Sequence, residues 1–158
     1  SQTLSYPISK LKSNVNFYSL DKEDNINLCV CKLVRKLYKQ NKKIIIIDND
    51  DKLIDIDKLL WSFQQNSFLP HKILMDDVID TPILLISIKD INKLELCKNY
   101  SEIINNCEMP LIQYKTKTNI YEFVLDNEKD KIVSRNKYTQ YMGNSFNVTH
   151  IKYNEQTI

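Results

Sequence analysis

The sequence predicts a single-domain α/β protein built on a mixed, mostly parallel sheet. Three neighbouring segments lead to this prediction. Residues 14–20 alternate apolar and polar side chains as a strand does, and residues 24–40 place their apolar side chains on one helical face. Residues 44–47 are four isoleucines, which is typical of a strand buried on both faces. A strand, an amphipathic helix and a buried strand form a βαβ unit with parallel strands.

The composition is that of one globular domain and excludes the common nucleotide-binding loops. The chain has 158 residues, of which 42% are hydrophobic and 27% charged. A net charge of +2 is too small to indicate nucleic-acid binding by itself. Gly143 is the only glycine, and phosphate-binding loops need several so that backbone N–H groups can approach the anion. Neither a P-loop nor a dinucleotide-binding loop can therefore be built here, and no cofactor is expected.

The four cysteines predict free thiols in a reducing compartment. Cys29 and Cys31 lack the two-residue spacing of a zinc knuckle, and Cys97 and Cys107 stand alone. Free thiols are typical of a cytosolic protein. No signal peptide and no apolar run approaching the length of a membrane span is present. We therefore expect a cytoplasmic protein without a membrane partner.

The remaining elements follow from apolar runs and stop signals. We expect Asp21 to cap the first helix, and a second helix to begin in the acidic stretch 48–51 and continue through Trp61. Residues 73–81 predict an acidic loop. Strands are expected at residues 82–87, 94–97, 111–114 and 120–125.

The two ends of the chain are predicted from the same signals. Asp126 is expected to cap a helix over residues 127–142, and Gly143 is the expected stop signal just past it. Residues 145–158 predict a tail with an extended piece through Phe146 and Val148. Residues 1–13 are predicted to be an N-terminal extension, which leaves one α/β domain over residues 14–158.

An aromatic stretch over residues 57–71 organises the middle of the chain. Trp61 lies off the apolar stripe of its helix, and Pro70 excludes a helical continuation through Leu69. Phe68 is therefore expected on a loop. Because aromatic residues mostly lie in cores, the simplest interpretation is that Trp61 and Phe68 close the core over one end of the sheet. The alternative is an exposed aromatic platform for a partner protein.

Asp48 and Asp50 offer the strongest signal for an enzyme. An apolar strand ending in Asp-x-Asp resembles the first motif of haloacid-dehalogenase-type phosphotransferases, in which the first carboxylate attacks phosphorus and the second moves protons beside Mg²⁺. Asp76 and Asp77 could add metal ligands. The later serine, threonine and lysine motifs of that family are not recognisable, so we favour helix capping for these aspartates and expect a protein that is not an enzyme.

Two other motifs resemble the chi subunit of bacterial DNA polymerase III. The first is a Leu-Trp pair at 60–61 followed by Ser-Phe-Leu-Pro-His at 67–71. The second is a basic stretch at 131–138, then Tyr141 and a Phe-Asn pair at 146–147. The resemblance implies a three-layer α/β/α sandwich, Rossmann-like in outline but without nucleotide-binding glycines. It also implies a non-catalytic adaptor in DNA replication. It would link the psi subunit of the clamp loader to the acidic C-terminal peptide of single-stranded DNA-binding protein, and it would contact DNA only indirectly.

The resemblance also implies residues for each partner. Trp61, Phe68 and Pro70 would bind the psi subunit, and a helicase is a further candidate partner for that site. The peptide ends in a phenylalanine in this family, and Arg135 would hold its terminal carboxylate bidentately. An apolar pocket and a basic side chain would complete the site, through Val124, Tyr138 and Lys131.

One observation and one alternative interpretation stand against a strong peptide site. Thr139 occupies a position where family members often have a second basic residue, which predicts a weaker basic cluster. The alternative for residues 131–138 is an ordinary solvated helix with pairing between residues four apart.

Overall fold

The computed structural model describes residues 13–64, 68–114 and 118–154. These residues contain seven strands, three α-helices and one 3-10 helix. The strands are β1 (Asn14–Ser19), β2 (Ile44–Asp48), β3 (His71–Ile73), β4 (Ile83–Ser87), β5 (Glu102–Asn105), β6 (Asn119–Val124) and β7 (Asn147–Lys152). The helices are α1 (Ile26–Lys39), α2 (Asp50–Ser62) and α3 (Glu128–Gly143), with the 3-10 helix η1 (Ile88–Leu96).

The strands form one sheet in the order β3-β4-β2-β5-β6-β1-β7. Every pairing is parallel, so the sheet is more uniform than the mixed, mostly parallel sheet expected. One face packs against side chains of α1 and α2, and the other packs against η1 and α3. The prediction of a three-layer α/β/α sandwich is confirmed.

The two halves of the core meet at β2, as its composition predicts. Ile44 and Ile46 belong to the apolar cluster beneath α1 and α2. Ile45 and Ile47 belong to the cluster on the opposite face. Successive side chains of a strand point to opposite faces, so a strand covered by helices on both sides needs an unbroken apolar run.

The caps of α1 and α3 are asparagines rather than the expected aspartates. Asn25 begins α1, and its side-chain oxygen accepts a hydrogen bond from the backbone N–H of Leu28 (3.1 Å). Asn127 begins α3 and accepts from the N–H of Asp130 (2.9 Å). The caps expected at Asp21 and Asp126 were therefore wrong, by four residues and by one residue.

The end of α3 does not use glycine in the way expected. Gly143 is the last residue of the helix, and it does not adopt positive φ. Ser145 adopts the left-handed conformation instead, with φ 64°. The chain then enters β7, which extends the predicted piece at Phe146 and Val148 into a strand paired with β1.

The structure differs most from the predictions between residues 88 and 114. Residues 94–96 belong to η1, so the strand expected at 94–97 was wrong. Residues 111–114 form a turn and not a strand. Strand β3, at His71–Ile73, was missed because three residues carry no recognisable alternation. None of the helices in the described ranges has both the length and the apolarity needed to cross a membrane.

Residues 1–12, which make up most of the predicted N-terminal extension, lie outside the described residues. Ser13 is buried at the start of β1. Its hydroxyl donates to the backbone oxygen of Tyr114 (2.9 Å), and its own carbonyl accepts from the N–H of Asn147 (3.0 Å). The first described residue is therefore hydrogen-bonded to the start of β7, the edge strand beside β1.

Candidate functional site

Trp61 and Phe68 are exposed, which excludes the interpretation that they close the core. Trp61 lies in the last turn of α2 and exposes 54% of its surface, and Phe68 exposes 69%. Their ring centroids lie 5.9 Å apart, so the two side chains form one aromatic patch. Pro70 is half-buried beside them. We call Trp61, Phe68 and Pro70 the aromatic platform.

Buried residues beneath the aromatic platform fix its backbone. Leu69 is buried, so it anchors the loop between the exposed Phe68 and Pro70. The buried His71 ring contacts the backbone oxygen of Leu69 through Nδ1 (2.5 Å) and that of Asp57 through Nε2 (3.2 Å). The Trp61 ring packs on the same imidazole, with centroids 4.3 Å apart. The His71 ring therefore links the loop to α2 through these contacts.

A second feature is a groove of about 520 Å³ between α3 and the ends of β1, β6 and β7. All four residues that the sequence assigns to a peptide site line this groove. They are Val124, Lys131, Arg135 and Tyr138. We call this cavity the α3 groove. Leu20, His150 and Lys152 also line it, and they were not predicted because their closeness depends on strand pairing.

The apolar wall of the α3 groove is anchored in the core. Val124 is the last residue of β6 and is 7% exposed. Tyr138 is partly exposed, and its ring meets Phe17 edge-on at 6.4 Å between centroids. Phe17 also stacks on His150 at 5.4 Å. An aromatic side chain entering the groove would thus meet rings whose positions are fixed by β1 and β7.

Three cations line the α3 groove, and two of them are already paired. The Lys131 ammonium lies 2.9 Å from an Asp126 carboxylate oxygen, and that of Lys152 lies 2.5 Å from Asp21. The hydrogen bond and the charge of Lys131 lower the pKa of Asp126, and the hydrogen bond to Asp21 raises the pKa of Lys152. Across the described ranges, Arg135 forms no ion pair. Its guanidinium is exposed and available to an anionic ligand.

Thr139 does not extend this set of cations. Its hydroxyl donates a hydrogen bond to the backbone oxygen of Arg135 (3.0 Å), one turn earlier in α3. This bond satisfies the hydroxyl within the helix. The basic side of the groove therefore consists of the three cations that flank it.

A buried polar network attaches α3 to the sheet, and the sequence did not reveal it. The Lys137 ammonium lies 2.7 Å from Glu122 Oε1, and Tyr141 donates to Glu122 Oε2 (2.7 Å). Asn105 donates to the same oxygen (2.9 Å), and Lys137 also donates to the backbone oxygen of Cys107. Burial raises the pKa of Glu122, while Lys137 acts in the opposite direction. The one sequence feature that indicates this network is the spacing of Lys137 and Tyr141, which lie four residues apart and so share a face of α3.

The geometry does not support a phosphotransferase site at Asp48 and Asp50. Asp48 is 2% exposed, and its oxygens accept from the N–H of Asn49 (2.8 Å) and from Asn106 (3.2 Å). Burial raises its pKa. Asp50 is exposed in the first turn of α2 and pairs with Lys89 (3.0 Å). The two carboxylates therefore do not share an accessible pocket.

The other candidate metal ligands are also in structural roles. Asp76 accepts from the N–H of Val78 (2.9 Å), and Asp77 pairs with Lys93 (3.4 Å). Within the described ranges, no three His, Cys, Asp or Glu side chains cluster as metal ligands would. All four cysteines are free and buried, and burial raises the pKa of Cys31 and Cys107 to about 12.

Comparison with known proteins now identifies the family. A search of curated proteins finds no match. The sequence model of the family described as "DNA polymerase III chi subunit, HolC" matches residues 13–149, which is most of the chain. The match includes the aromatic platform and all of the α3 groove lining except His150 and Lys152. The chain therefore belongs to the DNA polymerase III chi subunit family, and it is an accessory subunit of that polymerase.

Proposed function

We propose that this chain is a non-catalytic adaptor of the replicative polymerase, working in the cytoplasm. One surface binds the psi subunit of the clamp loader, and a second binds the acidic C-terminal peptide of single-stranded DNA-binding protein. The observation that carries the proposal is the α3 groove, because four residues assigned to one ligand from sequence line one cavity. Membership of the chi family supports the same function.

The α3 groove has the chemistry that a peptide ending in phenylalanine requires. Its volume lies within the range of small-ligand pockets, which is roughly 300–1,000 Å³. Val124 and the Tyr138 ring provide an apolar wall for the phenylalanine side chain. Arg135 provides two parallel N–H donors for the terminal carboxylate, which is the geometry that an arginine offers better than a lysine.

The aromatic platform suits a protein partner rather than a small ligand. Trp61 and Phe68 form a raised apolar surface, and large aromatics are the residues that contribute most to protein interfaces. We assign this surface to the psi subunit, with a helicase as an alternative occupant of the same site. Contact with DNA is indirect in this proposal, since a net charge of +2 gives little electrostatic attraction for a duplex.

The two surfaces are far enough apart to bind their partners together. The aromatic platform adjoins β3 at one edge of the sheet, whereas the α3 groove is built on β6, β1 and β7 at the other edge. These strands are four to six positions from β3, or roughly 20–30 Å at about 4.8 Å per strand. An adaptor needs this separation, because both partners have to be bound at the same time without colliding.

Titration of an acidic, Phe-terminated peptide into wild type and Arg135→Ala tests the peptide site. We expect the substitution to weaken binding by at least about tenfold, or about 1.4 kcal/mol, because the terminal carboxylate loses its bidentate partner. Lys129→Ala is a matched control, since Lys129 is an exposed cation of α3 that does not line the groove. Equal affinity in wild type and Arg135→Ala would move the peptide site off the α3 groove.

A further inference from the structure

The acidic side chains around the α3 groove hold the cations that an acidic ligand would use. Asp126 occupies Lys131, and Asp21 occupies Lys152. Both pairs are partly exposed to solvent, so a ligand can reach them from the groove. An acidic peptide thus meets a groove in which only Arg135, among the described cations lining it, is without a carboxylate partner.

The backbone holds Asp126 in place at the groove. Asp126 lies between β6 and the cap of α3, where the N–H of Asn127 donates to the backbone oxygen of Leu125 (2.9 Å). The N–H of Lys131 donates to the backbone oxygen of Asn127 (3.1 Å), so the helix that carries the lysine begins directly beside the aspartate. The lowered pKa of Asp126 agrees with a carboxylate that is ionised at neutral pH.

We propose that Asp126 is a specificity-determining residue of the α3 groove, acting as an internal competitor for Lys131. The inference rests on the proposed function. An acidic side chain of the ligand has to displace the Asp126 carboxylate from Lys131, or it has to lie close to a second negative charge. Asp21 has the same relation to Lys152. Arg135 therefore binds the terminal carboxylate of the peptide without any exchange. Lys131 and Lys152 bind the acidic side chains upstream only after Asp126 and Asp21 have been displaced.

This exchange predicts a gain in affinity when Asp126 is neutralised. Asp126→Asn removes the competing charge and keeps the size of the side chain, so Lys131 becomes available to the ligand. We expect an acidic, Phe-terminated peptide to bind about three- to tenfold more tightly, with a smaller gain at high salt because the groups are partly exposed. Asp126→Glu keeps the charge and should bind as wild type does. Asp21→Asn should change affinity in the same direction through Lys152.

The experiment is a calorimetric titration of two peptides into these variants. One peptide carries acidic residues before a terminal phenylalanine, and the other carries their amides with the terminal carboxylate kept. The gain in Asp126→Asn should appear with the acidic peptide and vanish with the amide peptide. Asp80→Asn is the control, because Asp80 pairs with Lys72 near β3, at the opposite edge of the sheet.

The outcomes separate this inference from the proposed function. If wild type binds the acidic peptide and Asp126→Asn binds it equally or more weakly, Asp126 is not a competitor and the peptide site stands. If the gain is as large with the amide peptide, Asp126 does not act on acidic residues and the inference is again overturned. If wild type binds neither peptide, both proposals are overturned together.

Discussion

At the residue scale, the contrast between Phe68 and Leu69 shows how this loop is organised. The two neighbours are both large and apolar, yet Phe68 is 69% exposed and Leu69 is buried. Leu69 belongs to the core cluster beneath α2, and His71 binds its backbone oxygen. The loop is therefore held by Leu69 and His71, and it does not depend on Phe68 for its position. An exposed aromatic side chain that the fold does not need for its stability is a strong candidate for binding a partner.

Phe68→Ala tests that assignment. We expect loss of binding to the clamp-loader partner by about 2 kcal/mol or more, because exposed aromatic anchors contribute most to interfaces. Stability and peptide binding should not change, since the side chain lies outside the core and far from the α3 groove. Leu96→Ala is the matched control, as Leu96 is an exposed apolar residue on η1, on the other face of the sheet.

The partner affinity is measured by surface plasmon resonance, and the free energy of unfolding by urea denaturation. If Phe68→Ala unfolds at a much lower urea concentration than wild type, Phe68 contributes to the core and its assignment to the binding surface is wrong. Undiminished partner binding in a fully stable variant would move the docking site elsewhere.

At the element scale, α3 is attached to the sheet by charged and polar side chains. The helix carries Arg135 and Tyr138 toward the α3 groove, while Lys137 and Tyr141 are buried against Glu122. These hydrogen bonds form in only one position of the helix, because Lys137 bonds to one carboxylate oxygen of Glu122 and Tyr141 to the other. We infer that this network sets the position of the groove residues relative to β6.

Glu122→Gln tests the network. The substitution leaves the Lys137 ammonium buried without its counter-ion, and we expect a loss of about 3–5 kcal/mol in the free energy of unfolding. Lys137→Met in the same chain should recover part of this loss, because it removes the uncompensated charge and keeps an apolar chain of similar length.

Urea denaturation of wild type, both single variants and the double variant measures the coupling between the two residues. The matched control is Asp50→Asn, which breaks the exposed pair with Lys89 and should change stability by less than about 1 kcal/mol. A loss in Glu122→Gln as small as in the control would mean that the buried pair does not hold α3.

The elements that could be predicted from sequence are those with strong local patterns. The apolar face of α1 and the isoleucine run of β2 define their elements without help from the rest of the chain. The stretch from residue 88 to residue 114 failed because short apolar runs are equally compatible with a strand and with a helix. There, Leu94 and Cys97 contact the core from a 3-10 helix and the turn that follows it.

The candidate sites were predicted only where the residues form a recognisable motif. Trp61 and Phe68 were identified as a motif, but the sequence left open whether they are buried or exposed. In the structure Leu69 and His71 take the buried positions, and Trp61 and Phe68 are exposed. Partners distant in sequence could not be predicted: Asp21 reaches Lys152 only because β1 pairs with β7. Glu122 meets Lys137 only because α3 packs back onto β6.

At the scale of the whole molecule, the parallel sheet separates the two proposed interaction surfaces. β3 and the aromatic platform mark one edge, and β7 with the α3 groove marks the other. Five strands between these edges are packed on both faces by helices, so the distance between the surfaces is set by the core. Binding at one surface is therefore expected to leave the affinity of the other unchanged.

A three-component capture experiment tests the adaptor function most directly. The psi subunit is immobilised, this chain is added, and a fluorescent peptide with acidic residues before a terminal phenylalanine is passed over the surface. We expect the peptide to be retained only when this chain is present, with loss of retention in Phe68→Ala, which fails to bind psi, and in Arg135→Ala, which stays bound without the peptide. Release of this chain from psi by excess peptide, or no peptide retained by a chain that has bound psi, would contradict the account.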